Sequence, residues 1–150
     1  MAPIKRHKAL QPLSREHHHT LLLVWKIRKG LSKHIEPERM KKYADWYLTH
    51  HLLPHFEKEE QDFAKILSEQ DTGLQQMKEE HAAIKTAFAK ETNEETLTTI
   101  ANLLEKHVRF EERDLFNRVQ EIATEEQLQE LYPEEEEEKF EDNEADVFWT

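Results

Sequence analysis

At 150 residues and 18.0 kDa the chain has room for one compact domain, and with 37% hydrophobic against 35% charged residues its core must come from narrow apolar stripes on otherwise solvated elements. Two glycines, Gly30 and Gly73, and no cysteine exclude Gly-rich phosphate loops, disulfides, thiolate metal sites and cysteine nucleophiles, so any metal has to be held by Asp, Glu or the ten histidines. The net charge of −11 divides into +8 over residues 1–42, −11 over 43–133 and −8 over 134–146, a field that argues against a nucleic-acid partner.

The longest apolar run, Leu21 to Trp25, is too short for a membrane span or a signal-peptide core, so a cytoplasmic protein without a membrane partner is expected. Apolar residues recur with a 3.6-residue period from Leu10 to Leu131 and never alternate over a long stretch, which reads as all-α. A first helix is expected from Ser14 as N-cap to the region of Gly30 to His34. Glu36-Pro37 opens a second, reaching about Ser68, with Pro54 inside it as an expected kink. Thr72 to Gln75 and Thr92 to Glu95 fit capping boxes for helices three and four. Thr124 to Gln127 fits a third, for a short fifth helix closed by Pro133. Short connections between four long helices predict an up-down-up-down bundle over residues 1–133. The acidic tail, 134–150, with its run Glu134 to Glu138, reads as solvated and disordered, or folded back on the basic first third.

Each long helix carries an inward imidazole. His17 lies in the stripe Leu10, Leu13, Leu21, Val24, Ile27, and His81 in the stripe Leu74, Met77, Ile84, Phe88. His55 and Glu59 are four apart among Leu48, Leu52, Phe63 and Ile66; His107 and Glu111 repeat that spacing among Ile100, Leu103, Leu104 and Leu115. The segments beginning at His55 and His107 align as an internal echo. Carboxylates taken into a bundle core repel and cost several kcal/mol each unless a cation compensates them. Imidazole plus carboxylate without thiolate suits iron, zinc or manganese, and a set large enough for two ions favours iron. His18 and His19 are rotated by about 100 and 200 degrees from His17 and read as solvent-facing, with His18 a spare candidate; His51, one turn before His55, reads as a supporting partner or substitute ligand. Trp25, Trp46, Phe56 and Phe110 read as core packing.

Ser14 to His17, His55 to Glu59, Glu79 to His81 and His107 to Glu112 together make the chain resemble the hemerythrin family, including its His-His-Glu (HHE) cation-binding domains, over roughly residues 10 to 120. The resemblance implies a hemerythrin-like four-helix bundle around an oxo- or hydroxo-bridged non-haem di-iron centre, bound in the oxygen carriers by five His and two bridging carboxylates. His17, His55, Glu59, His81 and His107 fall on ligand positions. Two features depart from the oxygen carriers. Lys85 stands where they have a further His, and the last carboxylate is either Glu111, favoured by helical geometry and the echo with Glu59, or Glu112, at the carriers' spacing. Lys85 is expected to project into the site, pair with a carboxylate, or leave its position to water.

The resulting expectation is a non-haem iron protein with an open position for a diatomic or peroxide ligand, acting in oxygen, nitric oxide, peroxide or iron sensing, storage or delivery. Alternatives are a metal-dependent oxidoreductase or peroxidase-like enzyme, and a metal-free helical module that contacts a protein partner through its acidic tail. Metal affinity is expected to fall below about pH 6 to 6.5, where imidazoles protonate.

Overall fold

The computed structural model describes residues 5–131 and 140–150, which are helical and irregular with no strand among them. The expected run Glu134 to Glu138 and the stop at Pro133 lie outside the described residues. No helix among the described residues is long and apolar enough to cross a membrane.

Helix α1 spans Gln11–Ser32. It begins three residues before Ser14, whose hydroxyl is used elsewhere, with Pro12 in the first turn where its missing N–H costs nothing. It does not stop at Gly30 but runs past it to a Schellman closure. His34 takes the left-handed conformation (φ 55°), while the N–H groups of His34 and Ile35 donate to the carbonyls of Leu31 and Gly30 at 3.1 and 3.0 Å. Gly30 answers to packing instead, since a Cβ there would fall 2.5 Å from Met40 Sδ.

Helix α2 comprises Pro37–Tyr47, a π-helical turn Leu48–Leu52, and Leu53–Ala64. The turn is closed by the Leu53 N–H donating to the Leu48 carbonyl, so the widened register falls immediately before Pro54, where the missing N–H interrupts the α-helical ladder. Helix α3 is Thr72–Phe88; its cap is Asp71, one residue before the expected Thr72, accepting from the N–H groups of Gly73 and Leu74 at 2.9 and 3.1 Å. Helix α4 comprises Glu94–Phe110, a second π turn Glu111–Leu115, and Phe116–Ile122, capped by Asn93 in place of Thr92. The short α5, Glu125–Glu130, has the full capping box expected at Thr124 and Gln127.

Two apolar clusters fill the bundle. One contains Val24, Ile27, Leu52, Phe56, Ile84, Ile100 and Leu104; the other contains Leu10, Leu13, Phe63, Leu74, Met77, Leu115 and Phe116. Every long helix contributes to both, and each carries its inward imidazole near the place where it passes from one to the other. The α1 stripe is thus confirmed except at Leu21, which is 39% exposed, and Trp25, expected as core packing, is 52% exposed. Both lie on the flank of the helix, rotated from the Val24–Ile27 line that the core takes.

Residues 140–150 pack on the bundle, contrary to the expectation of a solvated tail. Phe148 is buried beside Gly30 and Met40, and Trp149 covers the Lys26 ammonium at 4.0 Å. Lys26 donates to Asp142 at 2.5 Å, and Arg39 to both Asp146 oxygens at 2.8 Å. Residues 140–150 have therefore folded back on the basic first third, which is the alternative that charge complementarity supports.

Candidate metal centre

The polar layer between the clusters consists of side chains aimed by helical register. On α2 and α4 a four-residue step places His55 over Glu59 and His107 over Glu111. His55 Nε2 lies 3.1 Å from Glu59 Oε1, and His107 Nε2 lies 2.7 Å from Glu111 Oε1. From the other two helices His81 Nε2 comes within 3.3 Å of Glu59 Oε1, and His17 Nε2 within 3.1 Å of Glu111 Oε1. All six residues are buried, both carboxylates completely. Their ligand atoms form two overlapping groups, His17–His55–Glu59–Glu111 and Glu59–His81–His107–Glu111, within each of which every atom lies within 4.8 Å of the others.

The outward nitrogens of these four imidazoles are also engaged. His17 Nδ1 meets Glu112 at 2.8 Å, His81 Nδ1 meets Glu60 at 3.0 Å, His107 Nδ1 meets Glu80 at 2.7 Å, and His55 Nδ1 contacts Glu16. Each link joins two helices and the four close a ring, in which α1 supplies the carboxylate for α2, α2 for α3, α3 for α4, and α4 for α1. A carboxylate on Nδ1 holds the proton there and turns the Nε2 lone pair inward, the arrangement that orients metal-bound histidines. Sequence reasoning named Glu112 only as an alternative ligand and missed Glu16, Glu60 and Glu80, although each is the immediate neighbour of an inward residue: Glu16 before His17, Glu60 after Glu59, Glu80 before His81, Glu112 after Glu111.

Glu112 therefore lies outside the inner group, and Glu111 within it. The Ser14 hydroxyl donates to Glu112 at 2.8 Å and Arg6 stands 3.8 Å away. Burial raises the Glu112 pKa, but His17, Ser14 and Arg6 more than offset this and hold it below the usual carboxylate range. Lys85 does not project into the site. It is exposed, on a surface cleft with Glu57, Glu60 and Lys78. His18 is exposed, and His51 faces a cavity outside the inner group.

The inner atoms fit a cation better than they fit one another. His55 Nε2, His81 Nε2, His107 Nε2, both Glu59 oxygens and Glu111 Oε2 are enclosed without a hydrogen-bond partner, despite the short separations above. Buried polar atoms left in this way are costly, and so many pointing at one place are rare in a core that needs nothing there. Near contact at angles unsuited to hydrogen bonds is what donors aimed at a common centre produce.

The charges of the layer are compensated by protons as well. Burial raises the Glu59 pKa, and the neighbouring Glu111 raises it further, so Glu59 holds a proton well above the usual carboxylate range. Burial opposes ionisation of Glu111 too, but His107 and His17 overcome it and keep it charged. His107 is depressed by burial, yet Glu111 and Glu80 carry its pKa up to about 10. His81, buried and facing His107, falls to about 3.

Comparison with known protein families matches residues 9–119 to the hemerythrin HHE cation-binding domain. Neither a curated protein nor a solved structure matches the chain.

Proposed function

Since the chain belongs to the family of hemerythrin HHE cation-binding domains, we propose that it binds two iron ions, each through two imidazoles and two shared carboxylates. His17 and His55 would hold one ion and His81 and His107 the other, with Glu59 and Glu111 common to both groups. The observation that carries this reading is the inward convergence of four Nε2 atoms and two enclosed carboxylates whose remaining polar atoms find no protein partner. Nitrogen and oxygen donors without sulfur also suit zinc or manganese, but a pair of ions sharing carboxylates favours iron.

Bound iron would supply redox equivalents and open coordination positions for a small ligand such as dioxygen, nitric oxide or peroxide. With two imidazoles per ion, and Lys85 in place of a third on the α3 side, this chain leaves more open positions than a five-histidine set. That favours sensing, iron handling or ligand chemistry over reversible carriage. The protein's own contribution is to orient the imidazoles through the carboxylate ring, to exclude bulk water with the two apolar clusters, and to hold protons on Glu59 and His107 that the ions displace. The order in which the four helices pass from one cluster to the other, with connections over residues 33–36, 65–71 and 89–93, supports the up-down-up-down arrangement.

Elemental analysis and visible spectroscopy test the proposal, on protein loaded with iron anaerobically and then exposed to air. Two iron per chain with a charge-transfer band is expected; failure to retain iron would sink it.

A further inference from the structure

We propose that the cavity against the outer face of His55 is a port that receives divalent cations and passes them to the buried centre, an inference that rests on the metal-binding reading above. The inner residues are sealed: Glu59 and Glu111 are 0% exposed, His81 1%, His107 2%, His17 3%, and His55, the least covered, 6%. The ring around them is also thinnest there. The side-chain exposure of its carboxylates rises from 18% at Glu80 through 31% at Glu112 and 33% at Glu60 to 49% at Glu16, the partner of His55.

Outside that link is a cavity of about 450 Å³, lined among others by Arg15, Glu16, His19, His50, His51 and Phe140. Three imidazoles there, those of His19, His50 and His51, belong neither to the inner centre nor to its carboxylate ring. His19 Nδ1 is enclosed without a hydrogen-bond partner. The Phe140 ring stacks on His19 with centroids 4.1 Å apart and reaches His51 at 4.9 Å, so the packed tail forms one wall. A hydrated ion gives up water readily only if protein donors replace it stepwise. Imidazoles outside, Glu16 at the link and His55 behind it form such a series.

The other clefts near the ring set their carboxylates beside lysines and offer no imidazole: Glu79 and Glu80 beside Lys106 on one, Glu57 and Glu60 beside Lys78 and Lys85 on the other. Of these three clefts only the His55 cavity is lined by imidazoles.

The test mixes metal-stripped, full-length protein with cobalt(II) and follows the visible band of the filled centre. In the His19→Ala/His51→Ala variant the final amplitude is expected to match wild type, while the filling rate drops on the order of tenfold. Glu79→Ala, on the cleft beside Glu80, is expected to fill at the wild-type rate. Phe140→Ala, which widens the port and removes no donor, is expected to fill faster, and keeps the test decisive if the double variant fails to fold. Filling of the folded double variant at the wild-type rate, or no change with Phe140→Ala, would overturn the port while leaving the centre intact. A wild-type protein that develops no band would overturn the metal-centre reading itself.

Discussion

Glu111 Oε1 stands 2.7 Å from His107 Nε2, one turn away on the same helix. The pair holds a proton that a metal ion must displace, because Glu111 carries the His107 pKa up to about 10. Glu59, raised by burial and by Glu111, holds another. Metal binding is therefore expected to release protons throughout pH 7 to 9, and affinity to keep rising toward pH 10 instead of levelling above the ordinary imidazole range. This shifts the expectation from unperturbed histidines upward. Calorimetric titration of the metal in buffers of different ionisation enthalpy counts the protons; a count of zero at pH 8 would contradict the assignment.

The same proton has the opposite linkage to folding in the metal-stripped chain. A histidine raised in the folded state contributes stability that is fully present below its unfolded pKa of about 6.5. That contribution is lost as pH rises through the folded value of about 10. Urea denaturation in a chelator should show stability falling from pH 7 to 10 in wild type, and a flatter profile in His107→Gln. Parallel profiles would remove His107 from this role.

Glu60 and Glu80 act through the imidazoles they hold, at 3.0 Å from His81 and 2.7 Å from His107. Glu60→Gln and Glu80→Gln are each expected to weaken metal affinity by roughly 10- to 100-fold. Both lie at the edge of the layer, so the fold should persist. Competition against a chelator of known affinity measures the loss, and circular dichroism checks the fold. Wild-type affinity in both variants would mean that the ring does not orient the ligands.

Signals confined to one helical turn were legible in the sequence. The Thr124–Gln127 box formed as read, and the four-residue steps His55–Glu59 and His107–Glu111 point inward as read. The other two boxes moved by one residue because Asp71 and Asn93, with their own cap acceptors, take the position opposite the free N–H groups. Ser14 looked like a cap because its true acceptor, Glu112, is 98 residues away. The carboxylate ring was hidden for the same reason: each link crosses between helices, and only the adjacency of Glu16, Glu60, Glu80 and Glu112 to inward residues hinted at it. The tail's composition showed its charge and not its destination, which depends on Phe148 and Trp149 meeting the Gly30–Met40 contact and Lys26.

That destination is expected to be sensitive to acid. Burial raises the Asp142 pKa, but the Lys26 and Tyr43 hydrogen bonds outweigh it and bring it below the model-peptide value of 3.8. A depressed carboxyl stabilises the fold above its unfolded pKa, and that contribution is lost as pH falls through the folded one. Below about pH 4, the usual carboxylate range, residues 140–150 should detach, shifting Trp149 emission to the red; subtracting the Trp149→Phe spectrum isolates this signal. Asp142→Asn should loosen the segment at pH 7, at a cost of about 2 kcal/mol, below that of breaking a fully enclosed pair because Asp142 keeps contact with water. Unchanged Trp149 emission in both experiments would mean that the ion pair does not hold the tail.

The two carboxylates common to both donor groups, Glu59 and Glu111, should respond differently to the same substitution. Without metal, burial and Glu111 keep a proton on Glu59 well above the usual carboxylate range, so Glu59→Gln replaces one neutral group by another of nearly equal shape. Its effect on stability in a chelator should stay under about 1 kcal/mol. Glu111 is charged and faces His17 and His107, so Glu111→Gln leaves buried imidazolium charge without its partner, a loss of about 3–5 kcal/mol. With metal present the difference should narrow, because both substitutions remove a shared ligand and both should lose most of the stabilisation that binding adds. Urea titrations of wild type and both variants, with chelator and with metal, separate these terms. Equal losses in the chelator would refute the unequal proton distribution, whereas a metal-dependent gain surviving both substitutions would refute the shared-ligand role itself.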